Sequence, residues 1–353
     1  MTHDVENYDE IFSGTKEVSE NLQIDAKKLQ PWIDANVPDA GQIEKMKQLK
    51  GGQSNPTYKI ITKGKNLVLR RKPPGKLLPS AHAVDREYKV ITALYETDVP
   101  VPRTYGLCED EDVTGTAFFV MDCLDGDIFW DPMLPTLKKE ERIQIYQNKN
   151  KTLAALHNVD YKKVGLESYG KPGNYVARQV ARWSKQYRAS ETDNIDAMNN
   201  LIEWLPENIP DDDETSIVHG DYRLDNMILK NNKVIGVLDW ELSTLGHPIA
   251  DFSYHCLTWR TEPMYYDYKK LKELGVPNEV EYRDMYSEAT GKDLSNNWEF
   301  YMAFNIFKVA AICQGILGRV RDGTAASKHA EDRGMKVYPL SEGAWSIVEN
   351  NFK

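Results

Sequence analysis

One stretch restricts this chain more tightly than any other. An apolar segment, Ser216-Ile217-Val218, runs into His219-Gly220-Asp221, and a short polar turn then leads to Asn226. Two further apolar segments, Met227–Leu229 and Val234–Leu238, are separated by Asn231-Asn232 and end on Asp239. Alternating β-rich runs around an Asn-Asn pair predict a hairpin. That hairpin would put Asp221 and Asn226 at the two ends of one tight loop, with Asp239 at a strand end beside them. Two carboxylates and an amide then converge, and all three offer oxygen, the donor type that Mg²⁺ prefers.

Transfer of a phosphoryl group needs a carboxylate near the attacking hydroxyl, oxygen ligands for a metal on the phosphates, and cations for the developing charge. The order Asp221, Asn226, Asp239 supplies the first two at the intervals of the H-R-D-x-x-x-x-N signature and its following Asp. Here His-Gly-Asp stands for His-Arg-Asp, and Asp239-Trp240-Glu241 for Asp-Phe-Gly. A lone H-G-D is weak; the three positions in register are specific.

The rest of the chain reads as a β-rich part followed by a helical part. Residues 1–20 are polar and aperiodic and read as a loosely held leader. Asp25 suits the N-cap of a helix from Ala26 to Ala35. Strand signals follow at Tyr58–Ile61, Leu67–Leu69 and Ala117–Met121, the first two joined by a turn at Lys63–Asn66. One helix, Ala83–Leu94, interrupts them, with Val84, Tyr88, Ile91 and Leu94 on one face. Beyond Gly126, helices are expected over 137–158, 175–189, 195–205, 279–290 and 296–320. The division expected is a leader (1–20), a small lobe (21–123) and a large lobe (124–353), with the boundary near 122–127. The fold class expected is α+β, kinase-like and two-lobed.

The pattern resembles the aminoglycoside phosphotransferase/choline kinase-like superfamily, and within it the branch of the kinase-like domain joined to some acyl-CoA dehydrogenases. The residues carrying the closer resemblance are Gly52-Gln53-Ser54-Asn55-Pro56-Thr57-Tyr58, the run from Val68 to His82, Asp85-Arg86-Glu87-Tyr88, and Gly246-His247-Pro248-Ile249-Ala250-Asp251. It extends over roughly residues 45 to 320. The resemblance implies Asp221 as the catalytic base and Asn226 and Asp239 as Mg²⁺ ligands. Arg223 would be a cation for the transition state, and His219 a brace for the loop. It implies Gly52, Gln53, Ser54 and Asn55 as a nucleotide-covering turn, since glycine permits close backbone approach to phosphates. Arg70 would stand where the family places a lysine, with Arg71 and Lys72 as alternatives of register. Glu87 would position that cation, and Met121 to Leu124, including Cys123, would form a hinge beside the adenine. The co-substrate implied is ATP or GTP with Mg²⁺, and the acceptor is a hydroxyl of a small molecule. A hydroxyacyl-CoA or related hydroxy compound ranks above an aminoglycoside, choline or a sugar.

Plainer roles suit several residues. His157 reads as structural, Asp251 as a helix cap or a brace for the catalytic loop, and Trp298, Phe300, Tyr301, Phe304 and Phe307 as core. Two other functions fit parts of the pattern. A nucleotide-binding protein without catalysis would show stabilisation by nucleotide and no transfer. A metal-dependent phosphohydrolase using Asp221, Asp239 and His219 would cleave phosphate esters without nucleotide, but would leave Gly52 and Glu87 without a role.

Composition narrows the partners. With 353 residues and a formal net charge of -10, the chain can bury a sizeable core but offers no basic face for nucleic acid. The four cysteines, Cys108, Cys123, Cys256 and Cys313, are far apart and form no C-x-x-C pair, which suits a reduced, cytoplasmic protein. The acidic N-terminus lacks an apolar segment, so no secretory signal is expected, and no membrane contact is expected because no run of about 18 apolar residues was found.

Overall fold

A computed structural model describes residues 13–50, 55–75, 82–325, 327 and 329–352. Gly52, Gln53 and Ser54 of the expected nucleotide-covering turn lie outside the described residues, as do 1–12 of the expected leader. The chain divides into two compact units: residues up to Tyr169 with Asp221–Ser243, and Gly170–Gly220 with Thr244 onward. The boundary expected near 122–127 falls inside the first unit.

The first unit is built on a six-stranded antiparallel sheet. Its strands are β1 (Thr15–Lys16), β2 (Ile43–Leu49), β3 (Thr57–Thr62), β4 (Asn66–Arg71), β5 (Thr104–Cys108) and β6 (Phe118–Asp122), in the spatial order β1-β2-β3-β4-β6-β5. Helix α1 (Ala26–Asn36) starts where the Asp25 carboxylate accepts the Lys27 amide, as the capping signal predicts. Helices α2 (Val84–Leu94), α3 (Glu111–Thr114) and α4 (Lys139–Asn158) follow. The leader reading is corrected from residue 13 on: Thr15 and Lys16 pair with Leu49 and Gln48, and the Leu22 carbonyl takes hydrogen bonds from Tyr58 and Arg71. Sequence polarity missed this because the segment is held by backbone groups. Strands β1, β2 and β5 were likewise not picked out, because their half-exposed faces carry little apolar signal.

Alternation along the strands sorts the sheet into two faces. Tyr58, Ile60, Leu67, Leu69, Phe118 and Val120 form one core with Leu29 and Ile33 of α1. Each large apolar side chain so buried contributes about 1.5–3 kcal/mol. Their neighbours in sequence, Thr57, Lys59, Val68, Arg70, Phe119 and Met121, face a cavity of about 800 Å³.

The hairpin predicted around Asn231-Asn232 is present: Met227–Lys230 pairs with Lys233–Val237, and both asparagines adopt positive φ (51° and 62°), as such a turn requires. It is stitched to the segment after β6, where Asp127 and Leu229 exchange backbone hydrogen bonds of 2.7 and 2.8 Å. A Cβ on Gly126 would lie 2.5 Å from the Leu229 carbonyl oxygen, so only glycine allows that approach.

The second unit is helical, with one two-stranded ribbon, Ser216–Val218 against Thr244–Gly246. The expected helices appear as Tyr175–Ser190, Asp196–Glu207, Glu279–Thr290 and Trp298–Arg321, and the sequence reading did not include Pro248–His255 or Val337–Phe352. Trp298–Arg321 is long and apolar enough to cross a membrane by length and composition, which corrects the reading that no such segment occurs. Its most apolar window is 72% buried. Trp298, Phe300, Tyr301, Phe304 and Phe307 all lie in that core.

Candidate active site

The strand register decides which cation serves the cavity. On β4, Arg70 lies opposite Thr57 of β3 and Phe119 of β6, on the cavity face. Arg71, one residue on, turns to the other face. There it donates to the carbonyls of Thr114 and Leu22 and lies 5.3 Å from the Tyr58 ring. Lys72 reaches Asp85, at 3.7 Å. Of the three candidates left open by the sequence, Arg70 is therefore the one delivered to the cavity.

Arg70 spans two carboxylates. Its Nε donates to Glu87 of α2, 2.9 Å from Oε2, and its NH2 to Asp239 Oδ1 at 2.8 Å. Arg70 and Glu87 are buried, whereas the Asp239 side chain is 36% exposed. Burial pushes the Glu87 carboxyl up to about 7; the Arg70 charge pulls the other way, and the Asp239 and Glu241 charges add to the rise. The flanking carboxylates outweigh burial for Arg70 and hold its pKa above the ordinary arginine value.

Asp239 itself adopts φ 63° and ψ 62°. A left-handed aspartate is uncommon, costs of order 1 kcal/mol and is typical of residues held for a functional reason. The preceding amide, of Leu238, donates to the Asn226 carbonyl at 2.8 Å. Asn226 in turn sends Nδ2 to the Asp221 carbonyl (2.9 Å) and to Asp221 Oδ2 (3.3 Å). The structure thus hydrogen-bonds Asn226 to Asp221 and ties the Asn226 carbonyl to the backbone immediately before Asp239. With Nδ2 engaged, Asn226 Oδ1 is the amide atom able to serve a cation. Two carboxylates and an amide oxygen fit Mg²⁺, which takes few protein ligands and completes its shell with water and phosphate oxygens. Among the described residues no cluster of three or more His, Cys, Asp or Glu could hold a metal unaided.

The backbone before Asp221 is braced within the second unit. Asp251 accepts the amides of His219 (2.8 Å) and Gly220 (2.9 Å), so the brace reading of Asp251 holds and the helix-cap reading does not. His219 is fully buried. Arg223, expected as a transition-state cation, directs Nε and NH2 onto Asp225, and its side chain is 60% exposed. Met121, Cys123, Glu87, Asn226 and Asp239 line the cavity with Arg70. Asn55 does not line it: it is fully buried, and its amide donates to Glu87. Sequence reasoning passed over Trp130 and Ser13, which hydrogen-bond to each other on the cavity wall. No motif flags them, because they meet only through the fold.

Comparison with known proteins places this site in a family. The model of the phosphotransferase enzyme family matches residues 45–302. Acyl-CoA dehydrogenase family member 10 of Mus musculus is 43% identical over 343 residues, covering 95% of this chain and 32% of its own length. Acyl-CoA dehydrogenase family member 11 of Homo sapiens is 38% identical over 351 residues, 96% of this chain and 45% of its own length. The chain therefore spans less than half of these relatives. A protein of Ralstonia eutropha JMP134, solved as a candidate aminoglycoside phosphotransferase, is 45% identical with a TM-score of 0.85, over 93% of this chain and 99% of that one. The aminoglycoside phosphotransferase APH(4)-Ia, solved with ADP and hygromycin B, shares the fold alone, at 13% identity and TM-score 0.58 over 92% of this chain and 99% of that one. The fold is that of the aminoglycoside phosphotransferases, a β-sheet lobe and a helical lobe of kinase type, and the chain belongs to the phosphotransferase enzyme family.

Proposed function

We propose that the protein is a small-molecule kinase that moves the γ-phosphoryl group of Mg·ATP or Mg·GTP to a hydroxyl. The observation that carries this reading is the Asn226–Asp221 hydrogen bond, with the Asn226 carbonyl held by the amide just before Asp239, and Arg70 bridging Asp239 to Glu87 on the wall of a cavity. Asp221 orients the acceptor hydroxyl and receives its proton as the new O–P bond forms and the bond from the γ-phosphorus to the β–γ bridging oxygen breaks, ADP or GDP leaving. Arg70 meets phosphate oxygens, and Met121 and Cys123 flank the base. Asn226 and Asp239 hold the Mg²⁺, which when bound offsets the charge of the phosphates. That a protein of this fold was solved with ADP and hygromycin B supports a nucleotide and a small acceptor together.

For the acceptor we favour a hydroxyacyl-CoA or related hydroxy compound. The support is the 38–43% identity to proteins named as acyl-CoA dehydrogenases, over nearly all of this chain. An aminoglycoside is the second reading, supported by the Ralstonia protein. Cytoplasmic location is part of the same proposal, resting on four cysteines that are far apart in sequence and form no C-x-x-C pair.

Purified protein incubated with Mg·ATP or Mg·GTP and a panel of hydroxyacyl-CoAs, aminoglycosides, choline and sugars tests this. Product mass and acceptor-dependent ADP or GDP are the readouts. One acceptor should gain 80 Da-scale phosphate mass, on the order of one phosphoryl group, and only with Asp221 intact. Turnover of aminoglycosides but of no hydroxyacyl-CoA reverses the acceptor ranking. Failure of the protein to bind either nucleotide sinks the kinase reading.

A further inference from the structure

The Arg70–Glu87 pair is held from behind by two residues that do not face the cavity. Asn55 is fully buried, and its Nδ2 donates to Glu87 Oε1 at 2.9 Å. The same amide's Oδ1 lies 3.2 Å from His82 Nδ1, so both ends of the side chain are engaged. His82 sits just ahead of α2, in a left-handed conformation (φ 60°), and its carbonyl accepts the Val84 amide. The chain from His82 through Asn55 to Glu87 and Arg70 thus joins the start of α2 to β4 across the residue that follows positions 51–54.

The reason for such a brace lies in the arginine. A lysine ammonium can approach a carboxylate from many directions, whereas a guanidinium is a planar fork with fixed donor directions. Arg70 reaches Glu87 with Nε and Asp239 with NH2. It can do both only if the Glu87 carboxylate keeps one orientation. Asn55 fixes that orientation by holding one carboxylate oxygen.

We propose that Asn55, backed by His82, is a positioning residue for nucleotide capture: it holds Glu87 so that Arg70 spans Glu87 and Asp239 at once. This rests on the nucleotide-binding reading above. Donation from Asn55 also favours the ionised carboxylate. The charged or titratable groups around Glu87 are Arg70, Asp239, Glu241, Tyr169 and, through Asn55, His82. Loss of the Asn55 donor shifts Glu87 toward its protonated form, most strongly at low pH.

The test is Mg·ADP binding by calorimetry from pH 6 to 9, with Asn55→Leu, His82→Ala, Glu87→Gln and the two double variants containing Glu87→Gln. A buried hydrogen bond to a charged group sets the scale: Asn55→Leu should weaken binding about tenfold at pH 7, less at pH 9, and His82→Ala about threefold. In the Glu87→Gln background either change should cost less than about twofold, because the carboxylate that Asn55 orients for Arg70 is gone. Equal losses in both backgrounds, or an Asn55→Leu loss independent of pH, overturn the inference. Should Asn55→Leu not fold, the partly exposed His82 position gives the same cycle. Wild-type protein that binds no Mg·ADP overturns the kinase reading and this inference together, whereas binding with additive variants overturns this inference alone.

Discussion

Two arginines in this molecule each meet two carboxylates, one in each unit. Arg260 makes four contacts: Nε and NH2 to Glu279 at 2.8 and 2.6 Å, and NH1 and NH2 to Glu299 at 2.5 and 2.8 Å. The Trp298 indole also donates to Glu279 at 2.6 Å. Arg70 uses only Nε and NH2, and among the described residues no carboxylate takes its NH1. The side chain bound to Arg260 with least exposure, Glu279, is satisfied on both oxygens, and the carboxylates hold Arg260 above the ordinary arginine pKa. The Arg70 group ends instead on a half-open aspartate with a left-handed backbone. A guanidinium that gives four of its five N–H donors to protein carboxylates holds structure together. One that keeps a donor on a cavity wall is set up for a ligand with oxygen atoms.

The comparison can be broken at several points. The largest effect is expected at Asp221, where Asp221→Asn should lower phosphoryl transfer about 10²–10⁴-fold with the melting temperature little changed, since removal of a general base costs that much; steady-state rates and calorimetry on the same preparation check it. Retained transfer would remove Asp221 from the chemistry. Arg260→Met should destabilise by about 3 kcal/mol, because it leaves Glu279 buried without its charge partner, while the affinity of the remaining folded protein for Mg·ADP stays unchanged. Denaturant melts and nucleotide titration separate the two. If Arg260→Met instead abolishes nucleotide binding, the division into structural and functional arginines fails. Arg70→Lys should do the reverse: nucleotide affinity falls about tenfold, or ~1.4 kcal/mol, since a point charge cannot span both carboxylates, with stability changed less than in Arg260→Met.

The smallest expected effect concerns pH. Glu87 is raised from 4.5 to about 7 in the folded protein. Between those values the folded state binds more protons than the unfolded chain, so this group lowers stability as pH rises from about 4.5 to 7 and adds no slope above. The unfolding free energy of Glu87→Gln relative to wild type should therefore climb between pH 5 and 7, by an amount on the order of 1 kcal/mol, and level off by pH 8. A difference that is flat across this range would show that Glu87 is ionised throughout.

Much of the site was legible because its residues are close in sequence. Asp221, Asn226 and Asp239 lie on one loop and one hairpin, so the spacing and the Asn231-Asn232 turn sufficed to bring them together. Elements with a strong period, such as α2 and Trp298–Arg321, were equally readable. Half-exposed strands such as β2 were not, because their apolar content is low and their pairing depends on partners elsewhere. The Arg223 contact is hidden for a related reason: its place two residues after Asp221 says nothing of Asp225, which takes its guanidinium in the folded chain.

What the sequence determined by itself was the order of chemical groups along the chain, and with it the oxygen-rich loop around Asp221. It could not choose among Arg70, Arg71 and Lys72, nor tell that Asn55 turns inward to Glu87. Those choices belong to the tertiary structure. Adjacent residues on a strand point to opposite faces, so one residue of register decides whether a cation meets a core carbonyl or a cavity, and only the pairing of β4 with β3 and β6 fixes that register.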